Sequence, residues 1–256
     1  ETLDRFQKNL KQNDANPTLK PTSSICVELR AYKDDVELPL LQRAIDIGDQ
    51  AFEETVDQLE VGMSEKEAAW IFEKAVRERG AESISFPTIV AIGPNAARPH
   101  HATGDTTIVE GQTIVFDCGA KYKGYCSDLT RTVVLGKAND KVKRIYDIVL
   151  TAQLAAIDMV KAGMTGGECD AIARKIIAEA GYENNFGHSL GHGLGLEVHE
   201  NPGIGPSSKG KLENGMLFTI EPGIYIPGWG GVRIEDVVVL KNDKAHILSH
   251  ATKINF

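Results

Sequence analysis

The sequence predicts an α+β fold built from two related halves. Helix-periodic segments alternate with short apolar, strand-like runs along most of its length. A stretch beginning Gly62-Met63-Ser64 also returns about a hundred residues later at Gly163-Met164-Thr165. A third observation concerns chemistry. Asp117 and Glu221 each follow an apolar run, and Asp128 and Glu235 each precede one.

Composition narrows the classes. With 256 residues the chain can bury a sizeable core. Hydrophobic residues at 42% and charged residues at 25% are ordinary for a globular protein. A net charge of -8 and the lack of a basic run argue against nucleic acid or an anionic membrane as the main partner. No apolar stretch is long enough to span a bilayer. Four cysteines, Cys26, Cys118, Cys126 and Cys169, show no metal-site or disulfide-framework spacing, which suits reduced thiols and a cytoplasmic location.

Taken in order, residues 1 to about 23 are polar and read as a tail or linker, with one or two helical turns near Leu3 to Leu10. Ser24 to Leu29 reads as a short strand. Leu41, Ile45, Gly48, Phe52, Val56 and Leu59 recur at helical spacing, with Pro39 near the start. Ser64 and Glu67 form a capping-box pattern that opens a second helix, which Gly80 closes. Ser83 to Ile92 reads as a strand interrupted by Pro87. Thr113 to Phe116 and Leu129 to Leu135 read as strands joined by a turn at Lys121 to Gly124. The second half repeats the grammar. Val142, Ile145, Val149, Ala152, Ala156 and Val160 share one helical face, and Thr165 and Glu168 form another capping box. A loop is expected over Asn201 to Lys211, then two closing strands, Met216 to Glu221 and Val232 to Leu240.

Four carboxylates, Asp117, Asp128, Glu221 and Glu235, are thus embedded in apolar strands. A buried carboxylate needs a cation, a proton or strong donors. Each could serve structure alone, one aspartate held by backbone donors and the other paired with Arg131. Crowded together without cations, however, they would have steeply raised pKa values, and two divalent ions would relieve that strain. His192, between Gly191 and Gly193, adds a nitrogen ligand with room around it. Carboxylates with one imidazole and no placed thiolate suit Mn²⁺, Co²⁺, Fe²⁺ or Zn²⁺. Such a centre points to hydrolysis.

The ordered motifs Phe116-Asp117-Cys118-Gly119, Ser127-Asp128-Leu129-Thr130-Arg131-Thr132, Gly191-His192-Gly193-Leu194-Gly195, Ile220-Glu221-Pro222-Gly223-Ile224-Tyr225 and Gly231-Val232-Arg233-Ile234-Glu235-Asp236 resemble those of the metallopeptidases with the pita-bread fold. Within that group they are most similar to the Xaa-Pro peptidases, prolidase and aminopeptidase P. The resemblance runs from about Leu38 to the end. It implies two pseudo-symmetric halves with a curved antiparallel sheet covered by helices. It also implies cleavage between an N-terminal residue and proline by a hydroxide bridging two metal ions. Asp117 would serve one ion, His192 and Glu221 the other, and Asp128 and Glu235 both. Glu221 would also shuttle a proton. His100 would steady the oxyanion or substrate, and His199 would stand near the peptide carbonyl. Arg233 and Thr219 would orient ligands, and His188 would line the pocket.

Two departures from that pattern bear on substrate. Residues 1–37 stand where relatives carry an N-terminal domain, and are read as a tail or its remnant, with 38–256 as the catalytic domain. In relatives that domain helps form the dimer and part of the substrate pocket, so the departure bears on both, and a homodimer is carried over from the resemblance alone. The loop Asn201 to Asn214 lacks the Arg that binds a dipeptide's carboxylate in some prolidases, which favours longer peptides. A methionine aminopeptidase, an ectoine-type amidohydrolase and a catalytically silent peptide-binding module are the competing readings. Tyr225 and Gly230-Gly231-Val232-Arg233 favour the Xaa-Pro branch.

Overall fold

The computed structural model describes residues 2–12 and 25–254. The residues before the first half carry two helices, α1 (Thr2–Gln12) and α2 (Ile25–Ala31). The helical turns expected near Leu3 to Leu10 are therefore a complete helix. The strand expected over Ser24 to Leu29 is a helix from Ile25 onward; Ser24, like residues 13–23, lies outside the described residues. This helix packs against β8 (Glu200–Ile204), the edge strand of the five-stranded sheet, through side chains and not by ladder pairing. Arg30 and Lys33 reach Glu200, and the Lys33 N–H donates to the Gly215 carbonyl at 2.9 Å.

The first half contains α3 (Glu37–Asp57) and α4 (Glu65–Glu78) over the strands β1 (Ser83–Ile84), β2 (Ile89–Ile92), β3 (Thr113–Cys118), β4 (Ala120–Tyr122), β5 (Tyr125–Cys126) and β6 (Leu129–Val134). The second contains α5 (Asp140–Met159) and α6 (Gly166–Glu179) over β7 (Gly191–Gly193), β8 (Glu200–Ile204), β9 (Leu217–Ile220), β10 (Gly223–Ile226), β11 (Gly230–Arg233), β12 (Asp236–Lys241) and β13 (Lys244–Ile247). All strand pairs are antiparallel, in sheets ordered β2-β3-β6, β13-β12-β9-β7-β8, β1-β4-β5 and β10-β11.

The repeat read from sequence is a structural repeat. Ser64 and Thr165 each close a full capping box, with Glu67 and Glu168 returning the bond. The connection before each helix is pinned alike. The Gly62 N–H donates to Ile108 O at 2.9 Å and Ile108 N–H to Met63 O at 2.8 Å. Their counterparts, Gly163 to Leu212 and Leu212 to Met164, measure 2.8 and 2.7 Å. Gly62 and Gly163 adopt φ of 92° and 91°, a left-handed turn that favours glycine. Each half also has its own core. Phe52 and Phe72 meet Phe116 edge-on at 5.7 and 5.9 Å in the first, and Val149, Ile177, Phe218 and Val238 pack together in the second.

Three strand expectations shift, for backbone reasons. Pro87 cannot donate to a ladder, so the run from Ser83 to Ile92 divides, β1 pairing with β4 and β2 with β3. The run from Val232 to Leu240 breaks at Ile234-Glu235, so that β11 pairs with β10 and β12 with β9. The segment Asn201 to Lys211, read as loop, begins as β8 against β7. Strands β10 and β13 lie where no strand is expected from the sequence.

The halves join where β6 meets the β11–β12 break. The Glu235 N–H donates to Thr130 O at 3.1 Å, and the Thr132 hydroxyl donates to Arg233 O at 2.9 Å. Beside this seam Arg131 is fully buried. It donates to Asp236 Oδ1 at 2.8 Å, to the carbonyls of Ala251 and Thr130, and to that of Glu235. Arg131 therefore pairs across the halves with Asp236, not with Asp117 or Asp128. Removing one partner of a buried pair leaves the other uncompensated, so Arg131→Ala is expected to lower unfolding free energy by about 3–5 kcal/mol in urea titrations.

Candidate metal centre

Antiparallel pairing brings the acidic positions together. Asp117 lies in β3 opposite Thr130 of β6, and Asp128 stands immediately before β6. In the second half Glu221 follows β9 and Glu235 sits in the break before β12, whose Asp236 pairs with Ile220. Because the halves meet at this point, all four carboxylates and His192 line one cleft of about 1000 Å³. Asp128, His192 and Glu235 each offer a ligand atom within 4.8 Å of the others.

The imidazole is held firmly. The His192 backbone N–H donates to Thr219 Oγ1 at 3.1 Å, and its Nδ1 faces the Gly193 carbonyl at 3.1 Å. A carbonyl only accepts, so Nδ1 carries a proton and Nε2 points inward. Nε2 lies 3.3 Å from Glu221 Oε1 and 3.6 Å from Asp128 Oδ2. Thr219 also donates to Glu221 Oε1 at 3.3 Å, so one hydroxyl orients both groups. The flanking glycines have another cause than open space around a ligand. A Cβ on Gly191 would stand 2.0 Å from Thr219 O, and one on Gly193 2.0 Å from Asn201 O. Here neighbouring backbone takes the room.

The electrostatics suit a cation. Burial, then Glu235 and Asp117, pushes Asp128 well above the usual carboxylate range. Burial, then Glu221 and Asp117, does the same to Glu235. Burial also raises Asp117, against the opposing charge of Arg233, whose Nη2 donates to Asp117 Oδ2 at 2.6 Å. Glu221 moves the other way, because the hydrogen bond and charge of His192 outweigh burial. In return burial's downward pull on His192 is overcome by Glu221, and its pKa rises to about 9. Glu235 Oε2 accepts the Thr130 hydroxyl at 2.8 Å, but the buried Glu235 Oε1 has no hydrogen-bond partner. An orphaned carboxylate oxygen among raised carboxylates, beside an inward ring nitrogen, fits hard or borderline divalent cations.

A second tier of contacts fixes these groups. Arg233 donates from Nε to Thr130 Oγ1 at 3.1 Å and from Nη1 to the Tyr225 hydroxyl at 3.0 Å. Tyr225 in turn reaches His188 Nε2 at 2.8 Å, while His188 Nδ1 faces Ser189 O at 2.7 Å. Burial lowers the His188 pKa, in keeping with a neutral ring that accepts from Tyr225. His100 and His199 are exposed and line the same cleft, and the His199 ring centre is 4.2 Å from that of His192. Every site residue expected from sequence therefore meets at this cleft or supports it. Thr130 was not foreseen. Neither was Glu65, whose buried carboxylate accepts from Ile92 N, Asn95 Nδ2 and Gly104 N and meets His101 Nε2 at 2.8 Å. This clamp holds the loop that carries His100. A polar residue at the start of a helix gave no hint of such a reach.

Known proteins share this architecture. The chain is 43% identical over 242 residues to the Xaa-Pro dipeptidase of Pyrococcus furiosus, covering 94% of this chain and 70% of that protein. Among solved structures it resembles an Xaa-Pro dipeptidase from Bacillus anthracis, with a TM-score of 0.93, 44% identity, and coverage of 97% of this chain and 70% of the other. It also resembles an X-Pro aminopeptidase from Thermotoga maritima, with a TM-score of 0.91, 38% identity, and coverage of 99% and 79%. These likenesses carry the pita-bread arrangement, and the sequence match over residues 39–242 spans both halves and all five groups of the acidic centre: the chain belongs to metallopeptidase family M24.

Proposed function

We propose that this protein is an Xaa-Pro peptidase, which holds two divalent metal ions and hydrolyses the bond between an N-terminal residue and proline. The observation that carries the proposal is the buried acidic centre, with its orphaned Glu235 oxygen, at the base of a large cleft. The Xaa-Pro names of its relatives supply the bond. Asp117 would hold one ion, His192 and Glu221 the other, and Asp128 and Glu235 both. The ions would be Mn²⁺, Co²⁺, Fe²⁺ or Zn²⁺. Residues 38–256 would form the catalytic unit. A reducing cytoplasm suits the four free thiols.

When bound, the ions would activate water and polarise the scissile carbonyl. The chain's own groups supply the remainder. Glu221 Oε1, already set by Thr219, would take a proton from the attacking water and deliver it to the proline nitrogen as the C–N bond breaks. That nitrogen leaves as a secondary amine and must be protonated. His199 and His100, both open to the cleft, would donate towards the carbonyl oxygen as negative charge develops there. Arg233 would keep Asp117 ionised and oriented. Phe86, Ile89 and Val198 give the cleft apolar wall that suits a pyrrolidine ring.

Two outcomes are expected. Manganese-loaded protein should cleave Ala-Pro peptides, and Asp128→Ala should lose at least 100-fold in kcat/KM together with most bound metal, read by elemental analysis. Intact Ala-Pro peptides with full metal loading would reject the assignment. The second concerns protons. Burial and crowding raise Asp128 and Glu235, and Glu221 lifts His192 to about 9, so a cation binding here competes with protons. Metal binding at pH 7 should release protons, and apparent affinity should rise as pH increases towards 9. Calorimetry in buffers of different ionisation enthalpy measures the release.

A further inference from the structure

The acidic centre occupies only part of the cleft. Its strands supply the carboxylates, whereas α4 supplies none of them and forms a separate stretch of wall. Lys66, Ala69, Trp70 and Glu73 share one helical face, at spacings of three and four, and all line the cleft. Ala69 is small and buried, so Trp70 stands proud of the surface at 66% exposure. An indole is a large apolar surface to leave in water, and within a substrate cleft it is a ready platform for a ligand.

Size and charge say which ligand. A cleft of about 1000 Å³ lies at the top of the range for small-molecule sites, and far exceeds what two residues fill. A dipeptide would also place its carboxylate directly after proline, beside the reacting bond. The fixed cations lining the cleft among the described residues are Arg233 and Lys66. Arg233 is committed to Asp117, Tyr225 and Thr130. Lys66 stands on α4, paired with Asp105 at 2.9 Å. Among the described residues, then, the one buried cation of the cleft is committed to the centre and the other stands in water on α4, so no buried cation is left to pair with a dipeptide's carboxylate, whereas a peptide that continues past proline carries a neutral amide at that point.

We infer that Trp70 is a specificity-determining residue, forming a subsite on α4 for the segment of peptide that follows the proline. The inference rests on the Xaa-Pro reading, because hydrolysis after the first residue leaves any extra length on the far side of proline. Trp70 packs against that extension, and the subsite favours peptides of three or more residues over dipeptides.

The test compares Ala-Pro, Ala-Pro-Ala and Ala-Pro-Ala-Leu with manganese-loaded wild type, Trp70→Ala and Trp70→Phe. Because the side chain is largely exposed, both variants are expected to fold. Trp70→Ala should lower kcat/KM on the tetrapeptide by about tenfold, chiefly through KM, and leave Ala-Pro within about twofold, while Trp70→Phe keeps most of the tetrapeptide rate. An equal loss on every substrate, or none on the tetrapeptide, overturns the inference. So does a loss that follows the first residue's side chain, read as Leu-Pro against Ala-Pro. If wild type cleaves none of these peptides, the Xaa-Pro reading itself fails, and binding then decides on the subsite. In Trp229→Phe, where Trp70 is the single tryptophan, a fluorescence change on adding Ala-Pro-Ala-Leu supports it, and no change overturns it.

Discussion

The hydrogen bonds that cross from β6 to the break between β11 and β12 determine where everything else can sit. Thr130 makes three of them. Its carbonyl accepts the Glu235 N–H, its hydroxyl donates to Glu235 Oε2, and the same hydroxyl oxygen accepts from Arg233 Nε. One side chain thereby joins the halves, aims a carboxylate and seats the arginine that holds another. If β11 and β12 were one continuous strand, Glu235 would spend its N–H within its own sheet. The break frees that group for the other half, so the irregularity in the strand is what builds the centre.

Strand geometry explains how so much charge is tolerated at one seam. Successive side chains in β6 point to opposite faces. Thr130 and Thr132 turn towards the acidic centre and Arg233, while Arg131 turns the other way to Asp236, which also accepts from Gln153 and Lys253. The back of the seam is thus a neutralised cluster with donors for nearly every acceptor. Asp49 belongs to that side as well, its pKa lifted to about 6 by burial and restrained by the hydrogen bond from His250 and the charge of Arg131. The front is left with an excess of carboxylate. A protein that satisfies its buried charges on one face and leaves them short on the other has arranged a place for cations.

Much of this was legible in the sequence. The repeat could be read because helix caps have strict residue requirements, and Gly-Met followed by a hydroxyl residue and a glutamate three positions on states them twice. The carboxylates of the candidate metal centre could be picked out because a carboxylate within an apolar run has few explanations. What escaped depended on partners distant in sequence. Ile25 to Leu29 has strand-like residues, but contacts distant in sequence, such as Arg30 and Lys33 with Glu200, hold this segment as a helix. The glycines beside His192 read as room for a ligand, whereas backbone of β8 and β9, far away in sequence, fills that space. Arg131 reads as a partner for one of the two aspartates, yet successive residues of a strand face opposite ways, and Arg131 turns away from Thr130 and the centre to Asp236.

The two halves share a plan yet do not contribute equally, and the difference lies in how each capped helix holds the loop beside it. On α4 the buried Glu65 gathers Ile92, Asn95, His101 and Gly104, fixing the backbone on both sides of His100 while leaving that ring free. On α6 the work passes to a pair. Asp170 takes Arg174 and the Leu190 N–H, and Arg174 donates to the carbonyls of Phe186 and His188. Leu190 O then accepts from Glu221 N at 2.7 Å, so this clamp reaches the centre through backbone. The first half therefore presents a histidine on a tethered but exposed loop, suited to meeting substrate. The second presents one locked within a sheet, suited to holding an ion. With the two N-caps matched, Glu65 aligns with Gly166 and Asp170 with Ala69, so the halves reach their clamps from different positions of the same helix, and that is why one plan yields two differently held histidines.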